Sequence, residues 1–331
     1  MSLRGKVAFV TGGSGFLGGA LVRRLVAEGM RVRALVRHSS DSSYINGLSG
    51  VETIIGDITH KRSVFTASKD CAYVFHVAAA LGGHIDYQKQ VNVEGTRIVA
   101  EAAASVGSER MIHVSSIAVY GYGVDGKITE DTAHTDTLDP YAQTKAEAEK
   151  RLHMIAEKRW LSYSIIRPGM IYGPRSGAWT AKMFNMAKRS PTIFAGDGSG
   201  HAHPIHVDDV VDMIVTLATH PAAEGQAFNC APDPAPTWRE FLGHYSALAG
   251  HSNWLGVPAP LATLGLDVRA YLAEKGSPDV SWGEKARYIQ RDVTYSMAKA
   301  RDLLEWQPSV PLAEGIANTA PWLREQGLLT S

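Results

Sequence analysis

The sequence predicts an α/β fold, a doubly wound parallel sheet with a smaller C-terminal substrate-binding domain. Three observations carry the prediction. Short β-rich runs alternate with longer helical ones through the first half, several of those runs are almost unbroken aliphatic stretches, and a glycine-rich turn joins the first strand to the first helix. A strand covered on both faces loses the polar alternation of a one-sided sheet, so continuous aliphatic runs argue for a parallel sheet between helices.

In order, the strands expected are K-V-A-F-V-T (6–11), R-V-R-A-L-V-R (31–37), V-E-T-I-I-G (51–56), A-Y-V-F-H-V (72–77), R-M-I-H-V-S (110–115) and L-S-Y-S-I-I-R (161–167). Helices are expected between them over Phe16–Glu28, Val93–Val106 and Tyr141–Lys158. After Pro168 the rhythm breaks into Gly- and Pro-bearing chain with one helical piece near Ala181–Lys188. Then V-D-D-V-V-D-M-I-V-T-L-A puts Val207, Val210, Val211, Ile214 and Val215 on one helical face, and A-F-N-C-A (227–231) reads as a returning strand. The expected division is therefore a dinucleotide-binding domain from 1–168 and 205–231, and a substrate-binding domain from 169–204 and 232–331.

Bulk properties narrow the classes. Lysine plus arginine and aspartate plus glutamate both number 33, so no charge excess favours nucleic acid or an anionic membrane. At 331 residues roughly 75% of the unfolded surface can be buried, so no metal or disulfide staple is required. Cys71 and Cys230 are the only cysteines, as suits two reduced thiols in a cytoplasmic protein, with one disulfide left open. Lys6 to Thr11 already reads as a strand rather than a signal peptide, and no apolar run reaches 18 residues.

T-G-G-S-G-F-L-G follows the first strand and opens a helix, spacing Gly12, Gly15 and Gly18 as G-x-x-G-x-x-G. Glycines allow a tight turn and close backbone approach, and the helix N-terminus offers unpaired N–H groups to a pyrophosphate. Ser14, Phe16 and Leu17 belong to the same loop. An NAD-binding unit wants a carboxylate at the end of the second strand, about 20 residues on. Here Arg37 stands there, followed by His38, Ser39 and Ser40. A guanidinium pairs with a 2′-phosphate and offers no acceptor to a bare 2′-hydroxyl, so NADP(H) is preferred, with NAD(H) the second choice. Asp57 and Ile58 in G-D-I are expected beside the adenine, and Ala78 and Ala79 in V-A-A along the cofactor cleft.

These pieces resemble the extended short-chain dehydrogenases/reductases. The matching stretches are T-G-G-S-G-F-L-G, G-D-I, H-V-A-A, N-V-E-G-T, V-S-S-I-A-V-Y-G, Y-A-Q-T-K, R-P-G-M-I-Y-G-P and G-D-G…I-H-V-D-D-V, in the family's order from 6 to about 231. The tail S-M-A-K-A-R-D-L-L-E-W-Q-P…L-A-E-G-I is similar too. The resemblance implies a Rossmann fold and an NAD(P)-dependent enzyme acting on a small molecule. It places the catalytic tyrosine on Tyr141, the lysine on Lys145 and the serine on Ser116 rather than Ser115. It gives Asn92 a supporting role and puts Pro168, Gly169 and Ile171 at the nicotinamide carboxamide. It also implies a homodimer packed through the Val93–Val106 and Tyr141–Lys158 helices.

A tyrosine and a lysine four residues apart share a helix face, and taken alone that spacing reads first as a packing tyrosine and a solvated lysine. With the glycine loop and Ser116 it reads as chemistry. A free phenol has a pKa near 10, and a lysine ammonium together with an oxidised nicotinamide ring is expected to favour the phenolate, so that Tyr141 exchanges a proton with an alcohol or carbonyl. Two other clusters read as bland. The His-x-His-x-x-His spacing of H-A-H-P-I-H (201–206) is broken by Pro204, so no metal is expected. Asp208 and Asp209 in a first helical turn read as dipole partners.

Within the family, dehydratases carry an Asp-Glu pair directly after the catalytic Ser/Thr, where this chain has Ile117 and Ala118. Many nucleotide-sugar epimerases hold the diphosphate with an arginine three residues before the I-H-V turn. That position is Ala202 here, although Arg175 and Arg291 remain available for a phosphate. Trp179, Trp238, Trp254 and Trp282, with the apolar stretch 254–268, favour an apolar substrate. The expected function is an NADP(H)-dependent interconversion of a secondary alcohol and a ketone, similar to the 3β-hydroxysteroid dehydrogenase and dihydroflavonol reductase branch. The alternatives are a nucleotide-sugar 4-epimerase with tightly bound NAD and, outside enzymes, a redox-sensing NADP-binding module.

Overall fold

The computed structural model of the chain describes residues 2–134, 139–258 and 289–330. In chain order the strands are β1 (Val7–Thr11), β2 (Arg31–Val36), β3 (Val51–Ile55), β4 (Tyr73–His76), β5 (Arg110–Val114), β6 (Gly126–Ile128) and β7 (Tyr163–Pro168). They continue as β8 (Met170–Tyr172), β9 (Thr192–Ala195), β10 (Pro204–His206), β11 (Ala227–Cys230), β12 (Trp254–Val257) and β13 (Val293–Tyr295). Seven of these form the central sheet in the order 11-7-5-4-1-2-3, every pairing parallel. The chain starts at β1, winds one way through β2 and β3, then crosses to β4 and winds the other way. The winding reverses between β1 and β4, which opens a crevice beyond their C-terminal ends.

Helices cover both faces. They are α1 (Phe16–Ala27), α2 (Lys61–Ala67), α3 (Ile85–Gln88), α4 (Gly95–Ser105), α5 (Pro140–Arg159), α6 (Lys182–Ala187), α7 (Val207–Thr219) and α8 (Trp238–Leu248). On one face Leu21 and Leu25 of α1 and Val210, Ile214 and Leu217 of α7 pack on Val10, Phe75, Ile112 and Phe228. On the other, Val64 of α2, Ile98 and Val99 of α4 and Leu152 of α5 pack on Phe9, Val74, Met111 and Ile165. Alternate residues of one strand thus feed two cores, which is why the strands read as unbroken aliphatic runs.

Three two-stranded parallel sheets, β8 with β10, β9 with β12 and β6 with β13, lie outside the main one. Beside β8 and β9 a separate core gathers Tyr172, Phe184, Phe194, Trp238, Phe241 and Tyr245 with Ile316 and Leu323 from the C-terminal helices Leu312–Ala317 and Ala320–Glu325, while Ile128, Val293 and Tyr295 of β6 and β13 pack with Ile117, Val119 and Tyr120.

Some expectations shift. The helix expected from Val93 starts as α4 at Gly95, because Lys89–Glu94 is wound as a wider π turn. Val215 sits at the margin of its stripe, half-buried, while Leu217 and Ala218 complete the buried face of α7. Asp208 and Asp209 lie in the first turn of α7 as expected, but Asp209 does more than face the dipole: it is buried, and its carboxylate accepts hydrogen bonds from the N–H and hydroxyl of Ser309 (2.8 and 3.0 Å) and from the Val310 N–H (3.3 Å). The His206 ring caps α7 by accepting from the Asp208 N–H.

Candidate active site

A cleft of about 750 Å³ runs along the C-terminal edge of the sheet, and every cofactor and catalytic candidate named above lines it. At one end is the β1–α1 turn. Gly12 has φ +72°, and a Cβ built there would come 2.8 Å from the Ala78 nitrogen; one on Gly18 would come 2.0 Å from the Gly12 carbonyl oxygen. The loop therefore presses against the end of β4, and only glycine fits. α1 begins at Gly15 with no side-chain cap and no acidic residue in its first turn, leaving its first N–H groups for an anion. A glycine cradle, an uncapped helix and a long cleft fit a dinucleotide.

After β2, Arg37 is exposed in the cleft wall and its Nη1 donates to the Tyr87 hydroxyl at 3.4 Å. Tyr87, on α3, belongs to no motif that the sequence reading used; nothing in its spacing marks it. Asp57 Oδ1 accepts from the N–H and the hydroxyl of Thr59, both at 2.8 Å, which fixes the carboxylate at the cleft wall.

The acid–base candidates meet further along. Asp139 caps α5, accepting from the Tyr141 N–H at 3.1 Å, and Pro140 occupies the first helical position. This fixes Tyr141 in the first turn, with Lys145 one turn on. Ser116 follows β5 at the head of the short 3₁₀ turn Ile117–Tyr120; its Oγ accepts from the Ala118 N–H at 3.1 Å and its hydroxyl hydrogen-bonds the Tyr141 phenol. Ser115 is buried, whereas Ser116 is only half-buried in the cleft wall.

Burial pushes the Tyr141 phenol up to about 12, against a smaller downward pull from the Ser116 hydrogen bond. Burial pulls Lys145 down to about 8. Lys145 Nζ donates not to the phenol but to the Val114 carbonyl, at 2.6 Å. The protein's own groups therefore leave the phenol protonated, because desolvation of its anion and the nearby Asp139 charge outweigh the Ser116 hydrogen bond.

Supporting residues lock these segments together. Asn92 Nδ2 donates to the Ala80 carbonyl and the Thr144 hydroxyl, both at 3.0 Å, and its Oδ1 accepts from the Ala80 N–H at 2.7 Å, tying the β4 loop to α5. Pro168 ends β7, and Met170 and Ile171 begin β8; the Gly169 N–H between them donates to the Cys230 carbonyl and the Met170 N–H to the His203 carbonyl. A Cβ on Gly169 would meet the His203 carbonyl oxygen at 2.4 Å, so glycine is required at that turn. His203 Nε2 donates to the Val293 carbonyl at 2.8 Å and His201 Nδ1 shares that acceptor at 3.2 Å. These histidines join β10 to β13; among the described residues no group of His, Cys, Asp or Glu is placed to hold a metal ion.

Leu81, Val91, Ile117, Tyr122, Trp179 and Tyr295 add aliphatic and aromatic walls to the cleft. Among the described lining residues the only cations are Arg37 and Lys145. Arg175 instead lies flat on Tyr44, 3.7 Å from the ring centroid, and Arg291 bonds the Val124 carbonyl and pairs with Asp125 at 3.5 Å. Trp238 packs in the core against Phe194 and Phe241, and Trp254 against Phe194, so neither lines the cleft. Trp282 and all but the first five residues of 254–268 lie outside the described residues.

The sequence model of the NAD-dependent epimerase/dehydratase family matches residues 8–231. The chain belongs to that family. It is an extended short-chain dehydrogenase/reductase and an NAD(P)-dependent enzyme. The chain is 32% identical to a UDP-glucose 4-epimerase of Mycolicibacterium smegmatis over 96% of its own length and 98% of the relative's. It is 29% identical to a ceramide reductase of Caulobacter vibrioides, over 98% and 96%. An epimerase of known structure from Methanothermobacter thermautotrophicus superposes with a TM-score of 0.81 at 25% identity, covering 98% of this chain and 94% of that one. Family members thus include both epimerases and reductases. Among the described residues no helix is long and apolar enough to cross a membrane.

Proposed function

We propose that this family member is an NADP(H)-dependent oxidoreductase that interconverts a secondary alcohol and a ketone on an apolar small molecule. The observation that carries the reading is the lining of the cleft: besides the acid–base trio it gathers aromatic and aliphatic side chains, and its described residues include no cation beyond Arg37 and Lys145 to hold a diphosphate. Gly12 to Gly18 and the start of α1 would hold the cofactor's pyrophosphate, Arg37 its 2′-phosphate and the 168–171 turn its nicotinamide; when bound, the cofactor would supply hydride chemistry beside the acid–base trio. Ser116 donates a hydrogen bond to the substrate oxygen and holds it beside Tyr141. Because the phenol is protonated, it is ready to donate to a carbonyl in reduction; in oxidation the proton returns to it. Lys145 stands one turn along the same face to orient the nicotinamide ribose. Residues 169–204 and 232–331 supply the substrate side.

The epimerase relatives favour a second reading, a nucleotide-sugar 4-epimerase with tightly bound NAD. One assay separates the two. Reduction of a panel of sterol, long-chain and aromatic ketones consumes NADPH absorbance in step with product, whereas UDP-glucose epimerisation turns over with no net change. Tyr141→Phe is expected to cut reductase turnover by about 10²–10⁴-fold while leaving NADPH binding by isothermal titration unchanged. Turnover of UDP-glucose alone, without cofactor consumption, refutes the proposal.

A further inference from the structure

Lys145 is not the last charged residue on its face of α5. Tyr141, Lys145 and Glu149 follow one another at successive i, i+4 positions. Glu149 is fully buried, and both of its oxygens are held by Arg167, Nε to Oε1 at 3.0 Å and Nη2 to Oε2 at 2.7 Å. Arg167, also buried, is the residue before Pro168. Its Nη1 donates to the Tyr120 hydroxyl at 2.7 Å and to the Glu130 carbonyl at 3.2 Å, and Nη2 to His134 Nε2 at 3.1 Å. The Tyr120 hydroxyl passes its own proton to Asn229 Oδ1 at 2.7 Å. One guanidinium therefore joins the helix bearing Tyr141 and Lys145, the turn bearing Ser116 and the strand leading to Pro168–Ile171.

We propose that Glu149, one helical turn beyond Lys145 and paired with Arg167, is a positioning residue that keeps Lys145 charged beneath the cleft. The inference rests on the role given to Lys145 above. A buried ammonium with a carbonyl partner is poorly compensated, and loses its proton unless a negative charge stands near. His76 on β4 and His113 on β5 also face Lys145, and burial holds both neutral, so neither supplies that charge. Tyr141 stays protonated. Glu149 is what remains, and its field opposes the fall of Lys145. Arg167 makes a buried carboxylate tolerable: a bidentate, charge-assisted pair satisfies both oxygens.

The test reads Lys145 directly. In the full ligand-free chain with ¹³Cε-labelled lysine, the Lys145 signal is assigned by its loss in Lys145→Met and titrated by NMR. Glu149→Gln, which keeps the shape and removes the charge, is expected to lower the Lys145 midpoint by about one pH unit, a tenfold change in proton affinity. Glu149→Asp keeps the charge at greater distance, so its midpoint falls between wild type and Glu149→Gln; it serves alone should the glutamine variant not fold. A pair that merely excludes water predicts the opposite, since loosening it hydrates Lys145 and raises the midpoint. An unchanged or raised midpoint overturns the proposal. Because this readout needs no turnover, it fails independently of the Tyr141→Phe assay.

Discussion

Acidification from pH 7 to pH 5 is expected to remove a large part of the protein's stability, and two buried histidines set the scale. His76 and His203 are 1% and 2% exposed. His76 is threaded between two hydroxyls, Thr11 Oγ1 to Nδ1 at 2.8 Å and Thr96 Oγ1 to Nε2 at 2.9 Å, and the Thr96 hydroxyl already donates to the Asn92 carbonyl at 2.6 Å. Thr96 therefore accepts from Nε2–H, and Nδ1 accepts from Thr11: the ring is neutral with one tautomer fixed. Burial pulls His76 down to about 3 and His203 to about 4. In the unfolded chain each takes up a proton near 6.5, so between 6.5 and those folded values the unfolded state binds more protons. The stability these groups leave intact above pH 6.5 is lost as pH falls. From pH 7 to pH 5 that amounts to about 2 kcal/mol for each histidine, about 4 kcal/mol together. His113, held well below its usual value by burial, adds to the loss with the same sign. Carboxylates stay largely ionised in both states over this window, which isolates the histidines. Urea denaturation at the two pH values, with matching slopes, measures the difference. His203→Gln is expected to remove about half of the two-histidine drop. Equal midpoints at pH 7 and pH 5, or a higher one at pH 5, would refute the assignment of these rings as buried and neutral.

Arg37→Ala is expected to weaken NADPH binding about tenfold or more, the worth of charge-assisted hydrogen bonds to a phosphate, and to leave NADH nearly unaffected. Isothermal titration with both cofactors checks this, and equal losses for the two would remove Arg37 from 2′-phosphate recognition. Gly18→Ala drives a methyl to 2.0 Å from the Gly12 carbonyl oxygen, so the turn has to open and NADPH binding is lost while the circular dichroism spectrum is kept. Wild-type affinity in that variant contradicts the glycine cradle.

Much of this molecule was legible in its sequence because the signals were long or chemically exclusive. The central strands were visible as aliphatic runs since helices bury both of their faces, and Gly12 and Gly18 were visible because close backbone approach tolerates no other residue. What escaped notice was short or depended on distant partners. β6, β8 and β13 are three residues each, too few to show a period. α8 carried a readable signal that went unused: Thr237 and Glu240 in T-W-R-E form a reciprocal capping box. The second role of Asp209 was not legible because the Ser309 and Val310 donors lie a hundred residues away in the chain. The protonated state of the Tyr141 phenol follows from burial, which spacing alone does not reveal.

The attachment of the C-terminal segment to α7 bears on how this chain emerges from the ribosome. β7 stays an open edge until residues 227–230 arrive to pair with it, and the Asp209 carboxylate and the Asp212 partner of Trp306 wait for residues 306–310. Nascent chains shorter than that carry a bare strand edge and a buried acid with no donor, features that invite association with other chains and with chaperones. The central sheet with its helices and the tail are thus completed as one unit, and separating them at residue 231 leaves neither with a closed surface.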